Sequence, residues 1–273
     1  MNDNNKNMKF FPTDHTFALC SYRESPYLED CILSLKSQVI RSNILIATST
    51  PSKMIDRLGK MYDIPVFVNP NSGGIGADWN YAYQCAKTAL VTITHQDDIY
   101  EPDFVGQLIM DLNGAKDPII WFCDYYELRD KDKVHDNDNL RIKRLMLLLL
   151  KSKTLQNSRF VRRRVLSFGS PICCPSVTYV KEKCGKGPIF STEMKVSLDW
   201  DQWEKQSRKS GTFVYCDKPL MGHRIHANSA TSELIASNMR CKEDLEMYQR
   251  FWPEWIAKRL SKLYANSEKS NDV

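Results

Sequence analysis

Across the first hundred residues, short apolar runs alternate with segments of helical period, and no other feature of the chain limits its fold so tightly. Such alternation marks βαβ units wound into a largely parallel sheet. Residues 16–20 (TFALC) read as a buried strand. Ser25 then stands where it would cap a helix, with Pro26 at the first position and Leu28, Cys31, Ile32 and Leu35 on one face. A second unit follows, with a strand at 43–48 (NILIAT), Pro51 opening a helix, and Met54, Ile55, Leu58, Met61 and Tyr62 as its inward stripe. The third strand, 64–68, runs into a glycine-rich loop, Ser72-Gly73-Gly74-Ile75-Gly76, before a helix from about Asp78 to Lys87. The fourth strand, 89–94, ends at His95-Gln96-Asp97-Asp98. In an open α/β sheet, ligands gather beyond the carboxyl ends of the strands, so the loops after strands one, three and four are expected to converge on one site.

After residue 123 the alternation stops, and the charge-rich stretch 124–140 reads as a surface loop. Helices are expected near 140–152, 199–210 and 232–265, with short strands at 176–180 and 212–216. At 273 residues and 42% hydrophobic, the chain can bury a sizeable core. A formal net charge of +5 is too slight and dispersed to argue for nucleic acid, although it suits anionic ligands. The start, MNDNNKNMKFF, lacks a signal-peptide core, and no run reaches the ~18 apolar residues of a spanning helix, so a cytoplasmic protein is expected. Nine cysteines without CxxC spacing, Cys173 and Cys174 adjacent, read as reduced core thiols.

Two neighbouring carboxylates at a strand end can seat a hard divalent cation, Mn2+ or Mg2+, which a diphosphate would share. A capped turn is the plainer alternative for such a pair taken alone. Here the pair is part of a longer pattern. LCSYRESPYLEDCILSLKSQ, NSGGIGADWNYAYQCAKTALVTITHQDDIYEPDF and SLDWDQWEKQSRKSGTFVYCDKPLMGHRIHANSAT occur in order and together cover most of residues 16–231. They resemble, in turn, the opening βα unit, the glycine loop with its acidic metal motif, and the base-bearing segment of the inverting family 2 glycosyltransferases of GT-A fold.

That resemblance implies a Rossmann-like, mostly parallel sheet flanked by helices, with a helical C-terminal tail. It divides the chain into a polar start (1–14), a nucleotide-sugar-binding half (15–117), an acceptor-binding and base-bearing half of the same domain (118–231), and a terminal helical segment (232–273). It implies a nucleotide-sugar donor and a saccharide or lipid-linked saccharide acceptor. Ser21, Tyr22, Glu24, Thr48, Gly73, Gly74, Asn80, Gln96 and Asp97 fall at the donor-binding positions, and Asp97, Asp98 and His226 at the metal. Asp199 falls at the catalytic base, which takes the acceptor's proton. As a plain residue, Asp199 equally suits a helix N-cap, and Tyr22 a packed aromatic.

The chain departs from the family pattern in several places. His95 stands where the first acid of Asp-x-Asp-Asp would be, Trp79 where a basic residue is frequent, Arg23 where Asn is usual, and Thr48 near a missing base-reading acid. These losses keep a non-catalytic sugar- or nucleotide-binding relative open, and the shared plan keeps a sugar-phosphate nucleotidyltransferase open. Arg141-Ile142-Lys143-Arg144 before a leucine run, the triplet Arg162 to Arg164, and the tail around Trp252 and Trp255 pair basic with apolar residues. They are read as a surface for peripheral membrane contact or as core helices with a solvated charged face.

Overall fold

A computed structural model describes residues 9–71, 73–226 and 239–269. The N-terminal part runs β1 (His15–Ser21), α1 (Leu28–Lys36), β2 (Asn43–Thr48), α2 (Lys53–Met61), β3 (Val66–Val68), α3 (Ile75–Cys85) and β4 (Leu90–His95). β3, β2, β1 and β4 lie side by side and parallel, as the alternation predicts. Local details differ. Ser25 and Pro26 form a turn instead of a cap, so α1 begins at Leu28, while Ser52, not Pro51, caps α2 by accepting from the Ile55 amide. Met61, assigned inward, is 57% exposed, because α2 ends there.

The second part comprises β5 (Ile99–Tyr100), α4 (Phe104–Gly114), β6 (Pro118–Arg129), β7 (Asp132–Val134), α5 (Asp138–Leu147), α6 (Arg159–Leu166), β8 (Val177–Val180), α7 (Lys181–Cys184), α8 (Leu198–Ser207), β9 (Thr212–Ile225), α9 (Met239–Gln249) and α10 (Glu254–Lys269). β8 joins β4 antiparallel, and the sheet continues through β6, β9 and β5, with β7 hairpinned to β6. The result is one mixed, mostly parallel sheet with helices on its faces. Its two apolar layers centre on Tyr83, Tyr179, Trp200 and Trp203 on one side and on Phe17, Tyr100, Phe104 and Trp121 on the other.

The expected surface loop at 124–140 is overturned. Residues 124–129 complete the long strand β6 and are buried almost throughout. Its charges face partners: Arg144 Nε donates to Asp124 Oδ2 at 2.8 Å, and Arg129 and Asn137 donate to Glu127. Composition records those charges but not their partners, of which Arg144 and Asn137 come from outside the strand.

The strand expected at 212–216 runs on to Ile225, past irregularities opposite Cys123 and Asp124. The single helix expected at 232–265 is two, α9 and α10, broken before Pro253, and residues 232–238 lie outside the described ones. Six cysteines are buried, Cys20 and Cys85 are half-buried, and Cys241 is exposed, contrary to a wholly internal set. Among the described residues no helix is long and apolar enough to cross a membrane.

Candidate active site

The parallel register sets Cys20 beside His95 and Ser21 beside Thr48, so the turns after β1, β2 and β4 meet at one edge. Gln96 ties two of them together. Its Oε1 accepts from Ser21 Oγ at 2.9 Å and the Tyr22 amide at 3.2 Å, and its Nε2 donates to the Tyr22 carbonyl at 2.9 Å. Beyond this latch Arg23 takes a left-handed conformation (φ 58°), its amide donates to Thr50 Oγ1, and its guanidinium lies 5.1 Å from the Tyr22 ring. Tyr22 is 51% exposed, so it is not packed at the strand end but offers an aromatic face to solvent. Glu24 is exposed on the same turn. Thr48 is buried, with Oγ1 accepting from the Thr50 amide, and so shapes the turn from within.

The glycine loop enters the same edge. α3 starts at Ile75, earlier than the expected Asp78, because Gly74 caps it at φ 87°, a conformation that favours glycine. A Cβ on Gly76 would stand 2.1 Å from the Ser191 carbonyl oxygen, so glycine lets the 189–191 segment press against the helix. Asn80 grips that segment, accepting from the Ile189 and Phe190 amides at 2.7 and 2.9 Å and donating to the Phe190 carbonyl at 2.9 Å. Its amide group is therefore committed to holding the loop, while Gly73 and Gly74 lie at the open end of α3. Lys195 Nζ lies 3.7 Å from where a Cβ on Gly74 would be. This cation beside a helix N-terminus is distant in sequence from the loop, so only the fold reveals it.

Asp97 and Asp98 follow β4, and β9 brings two histidines to them. His226 Nε2 is 2.9 Å from Asp97 Oδ2, and His223 Nδ1 is 3.1 Å from Asp98 Oδ1. The Arg224 amide also donates to Asp98 Oδ1 at 3.0 Å, and its Nε donates to the Asp97 carbonyl at 2.8 Å. Asp98 is fully buried, yet its Oδ2 has no hydrogen-bond partner. Burial works to raise Asp97, but His95, the His226 bond and His223 together hold it below the ordinary carboxylate value. Burial also lowers His95, against the pull of Asp98 and Asp97, whereas His223 is raised despite burial by its contact with Asp98. One ligand atom each from His95, Asp97 and Asp98 lies within 4.8 Å of the others. His223 and Arg224, at the end of β9, are not among the residues singled out from sequence, and only their proximity to His226 in the chain could have pointed to them.

Asp199 sits in the first turn of α8, beyond the N-cap position held by Ser197, and its Oδ1 accepts from the Trp200 amide at 2.6 Å. Burial pushes its carboxyl up to about 6, against lowering by that amide and by the nearby cations Arg240 and Lys143. The adjacent thiols of Cys173 and Cys174, raised first by burial, are raised further by both Asp98 and Asp199. The 173–174 segment thus lies near both Asp98 and Asp199. Asp201, one turn-step on, is different: it is buried and paired with Lys205 and Arg250, each at 2.6 Å.

A cavity of about 600 Å3 lies at the opposite, amino end of the strands around Arg41, Asn43 and Lys87. It contains none of these carboxylates or histidines, and the chemistry places the site at the carboxyl edge instead.

The family model "Glycosyl transferase family 2" matches residues 16–182. An uncharacterized glycosyltransferase of Rickettsia typhi is 27% identical over 242 residues, covering 87% of this chain and 70% of that protein, and one of Rickettsia prowazekii gives the same figures. Among solved structures, S. aureus TarS 1–349 in complex with UDP-GlcNAc aligns with a TM-score of 0.64 at 14% identity, over 90% of this chain and 70% of that one. Mannosyltransferase PcManGT from Pyrobaculum calidifontis, in complex with GDP-Man and Mn2+, aligns with a TM-score of 0.58 at 13% identity, over 93% and 70%. At such identities the structural likeness speaks for the fold, which is of GT-A type. With one family model matching more than half of its length, this chain belongs to glycosyl transferase family 2.

Proposed function

We propose that this transferase moves a hexose or N-acetylhexosamine from a nucleotide sugar, a UDP-sugar first among donors, to a saccharide or lipid-linked saccharide acceptor, with inversion at the anomeric carbon. The observation that carries the reading is the meeting, at one sheet edge, of an exposed Tyr22, an open glycine loop and the Asp97–Asp98 pair, with the buried carboxyl of Asp199 across the Cys173–Cys174 segment. TarS bound to UDP-GlcNAc supports the choice of donor, while PcManGT bound to GDP-Man keeps the base itself a matter for experiment.

In this reading Tyr22 stacks on the base, and the Gln96 latch sets its distance from the acidic pair. The α3 N-terminus at Gly73 and Gly74, with Lys195 beside it, faces the diphosphate and compensates for the uncharged Trp79. Asp97, Asp98 and His226 are the residues that would hold Mn2+ or Mg2+, and Asp98 Oδ2, buried without a hydrogen bond and 3.7 Å from His95 Nδ1, fits that task. When bound, the cation supplies Lewis-acid stabilisation of the charge that develops on the leaving diphosphate. Asp199 takes the proton of the acceptor hydroxyl as its oxygen forms a bond to the anomeric carbon and the bond to the β-phosphate breaks. The acceptor approaches past Phe168–Pro171, where Phe168 is exposed and Ser170 Oγ is buried without a partner.

Of the basic stretches, Arg162 is buried, with its Nε donating to the Ser207 carbonyl and its terminal nitrogens to those of Lys209 and Gly211, and Arg163 pairs with Glu204. The row Ile142, Leu145, Leu148 and Leu149 is exposed and supports peripheral contact with a membrane that would present a lipid-linked acceptor.

Incubation with a panel of nucleotide sugars and Mn2+, following release of nucleoside diphosphate, tests the proposal. UDP release from a UDP-hexose or UDP-N-acetylhexosamine is expected. Silence from every donor, with saccharide acceptors present, would favour a binding protein.

A further inference from the structure

The formal net charge of +5 conceals a strong local excess. Residues 139–181 hold ten Lys or Arg and no Asp or Glu, so the rest of the chain is net acidic. Some of these cations serve the fold: Arg144 answers Asp124, Arg162 is buried among carbonyls, and Arg163 pairs with Glu204. Others are left over. Lys153, Arg159 and Arg164 make no ion pair among the described residues. The Arg164 guanidinium is held 4.7 Å from the Trp252 ring and 5.6 Å from the Phe160 ring, beside a cavity of about 140 Å3 that Arg163, Ser167 and Phe251 also line. Aromatic faces keep such a cation in place without neutralising it.

The same stretch turns apolar side chains outward. On α5 and the turn at 148–151 that follows it, Leu140, Leu147 and Leu150 are buried, whereas Ile142, Leu145, Leu148 and Leu149 are 49–69% exposed. Helical spacing sets these four along one side. α6 packs against that turn, and its Phe160 is 71% exposed. An apolar row among unanswered cations matches an anionic bilayer, where the leucines enter the acyl boundary and the cations meet headgroup phosphates. A nucleic acid would satisfy the cations and leave the row unmatched.

We propose that the α5–α6 face docks on an anionic bilayer, with Leu145 and Leu149 at the centre of the inserted row and Lys153, Arg159 and Arg164 on lipid phosphates. The inference rests on the reading of this face as a membrane contact, and it adds the charge of that membrane and the way the protein lies on it. α6 leads directly into the exposed Phe168, and the Leu166 carbonyl accepts from Trp200 Nε1 at 3.0 Å, next to Asp199. Docked in this way, the loop past which the acceptor approaches lies at the lipid surface, so a lipid-linked saccharide would reach Asp199 without leaving the bilayer.

The test is co-sedimentation of the full-length protein with vesicles of phosphatidylcholine alone or mixed with an equal part of phosphatidylglycerol, at low and high salt. UDP binding, followed by calorimetry, serves as the control for folding. Wild type is expected to bind the mixed vesicles at least about tenfold more tightly than the neutral ones, and to lose most of that preference at high salt. Arg164→Gln should weaken binding to the mixed vesicles about fivefold, and Leu145→Asp by more than about tenfold, both with UDP affinity unchanged. Equal binding to the two kinds of vesicle would overturn the anionic preference and leave a membrane contact standing. Binding to neither would remove the contact itself, whatever nucleoside diphosphate release shows of the transferase. Binding that falls in Arg164→Gln but ignores Leu145→Asp would mark a surface for a soluble polyanion and overturn insertion.

Discussion

The buried acids on helix α8 and at the end of β4 fall into two groups, and they are finished in opposite ways. On one side Asp201 and Glu204, both buried, are enclosed by Lys205, Arg250, Arg163 and Arg208. On the other, Asp199 has the Trp200 amide as its close partner, and Asp98 Oδ2 makes no hydrogen bond and has only the His95 imidazole, 3.7 Å away. Burial drives up the Asp199 carboxyl, whereas the closed cluster places cations against each carboxylate. Carboxylates answered by arginines hold helices together; carboxylates left partly unanswered at a strand end are available for ligands and protons.

The contrast breaks most sharply at Asp97. Asp97→Asn is expected to weaken cation-dependent nucleoside diphosphate binding by about 100-fold, as calorimetry would read it, while changing the unfolding free energy by less than about 1 kcal/mol. Arg250→Met should do the reverse. It leaves Asp201 and Glu204 short of a cation and should cost up to about 3 kcal/mol in urea unfolding, with nucleotide affinity kept. Loss of affinity in Arg250→Met without loss of stability would erase the distinction between the clusters.

A smaller effect separates the sheet core from both. His15 is buried between Ser42 Oγ and Thr92 Oγ1, and burial lowers it from 6.5 to about 3. The unfolded chain therefore binds the proton more readily, and stability falls as pH drops below about 6.5. The loss by pH 5 should be about 2 kcal/mol, and a His15→Gln variant should flatten that slope. The smallest change is expected at Tyr22. Tyr22→Ala should raise KM for the donor about fivefold with kcat little altered, the worth of about 1 kcal/mol of stacking. A fall in kcat alone would place Tyr22 elsewhere in the reaction.

How legible each region was follows from the same physics. β1, β2 and β4 could be read because parallel strands buried on both faces write themselves as continuous apolar runs separated by helical periods, and the edge strand β3 by its β-branched and aromatic residues. β6 could not, because Asp124 is answered by Arg144 from α5, and Glu127 by Arg129 at the end of the same strand and by the Asn137 amide before α5. At the site, the acidic pair and Asp199 are legible through the motifs that resemble the family, since as plain residues each equally suits a turn or a helix start. The partners of these residues do not: His223 and Arg224 reach Asp98 across more than 120 positions, and Lys195 reaches Gly74 the same way. His95 and Trp79 looked like two separate losses in the sequence, and their contact is visible only once α3 packs against the end of β4.

The central claim is that Asp199 accepts the acceptor's proton beside a nucleotide site it does not itself build. Turnover across pH 5 to 8, measured as nucleoside diphosphate release for wild type and Asp199→Asn with nucleotide affinity followed in parallel, tests it most directly. The wild-type rate should climb through a midpoint near pH 6, where burial has set the carboxyl. Asp199→Asn should lose about 10²- to 10⁴-fold in rate with unchanged nucleotide affinity. Normal turnover in Asp199→Asn, or a loss fully explained by weaker nucleotide binding, would contradict the account.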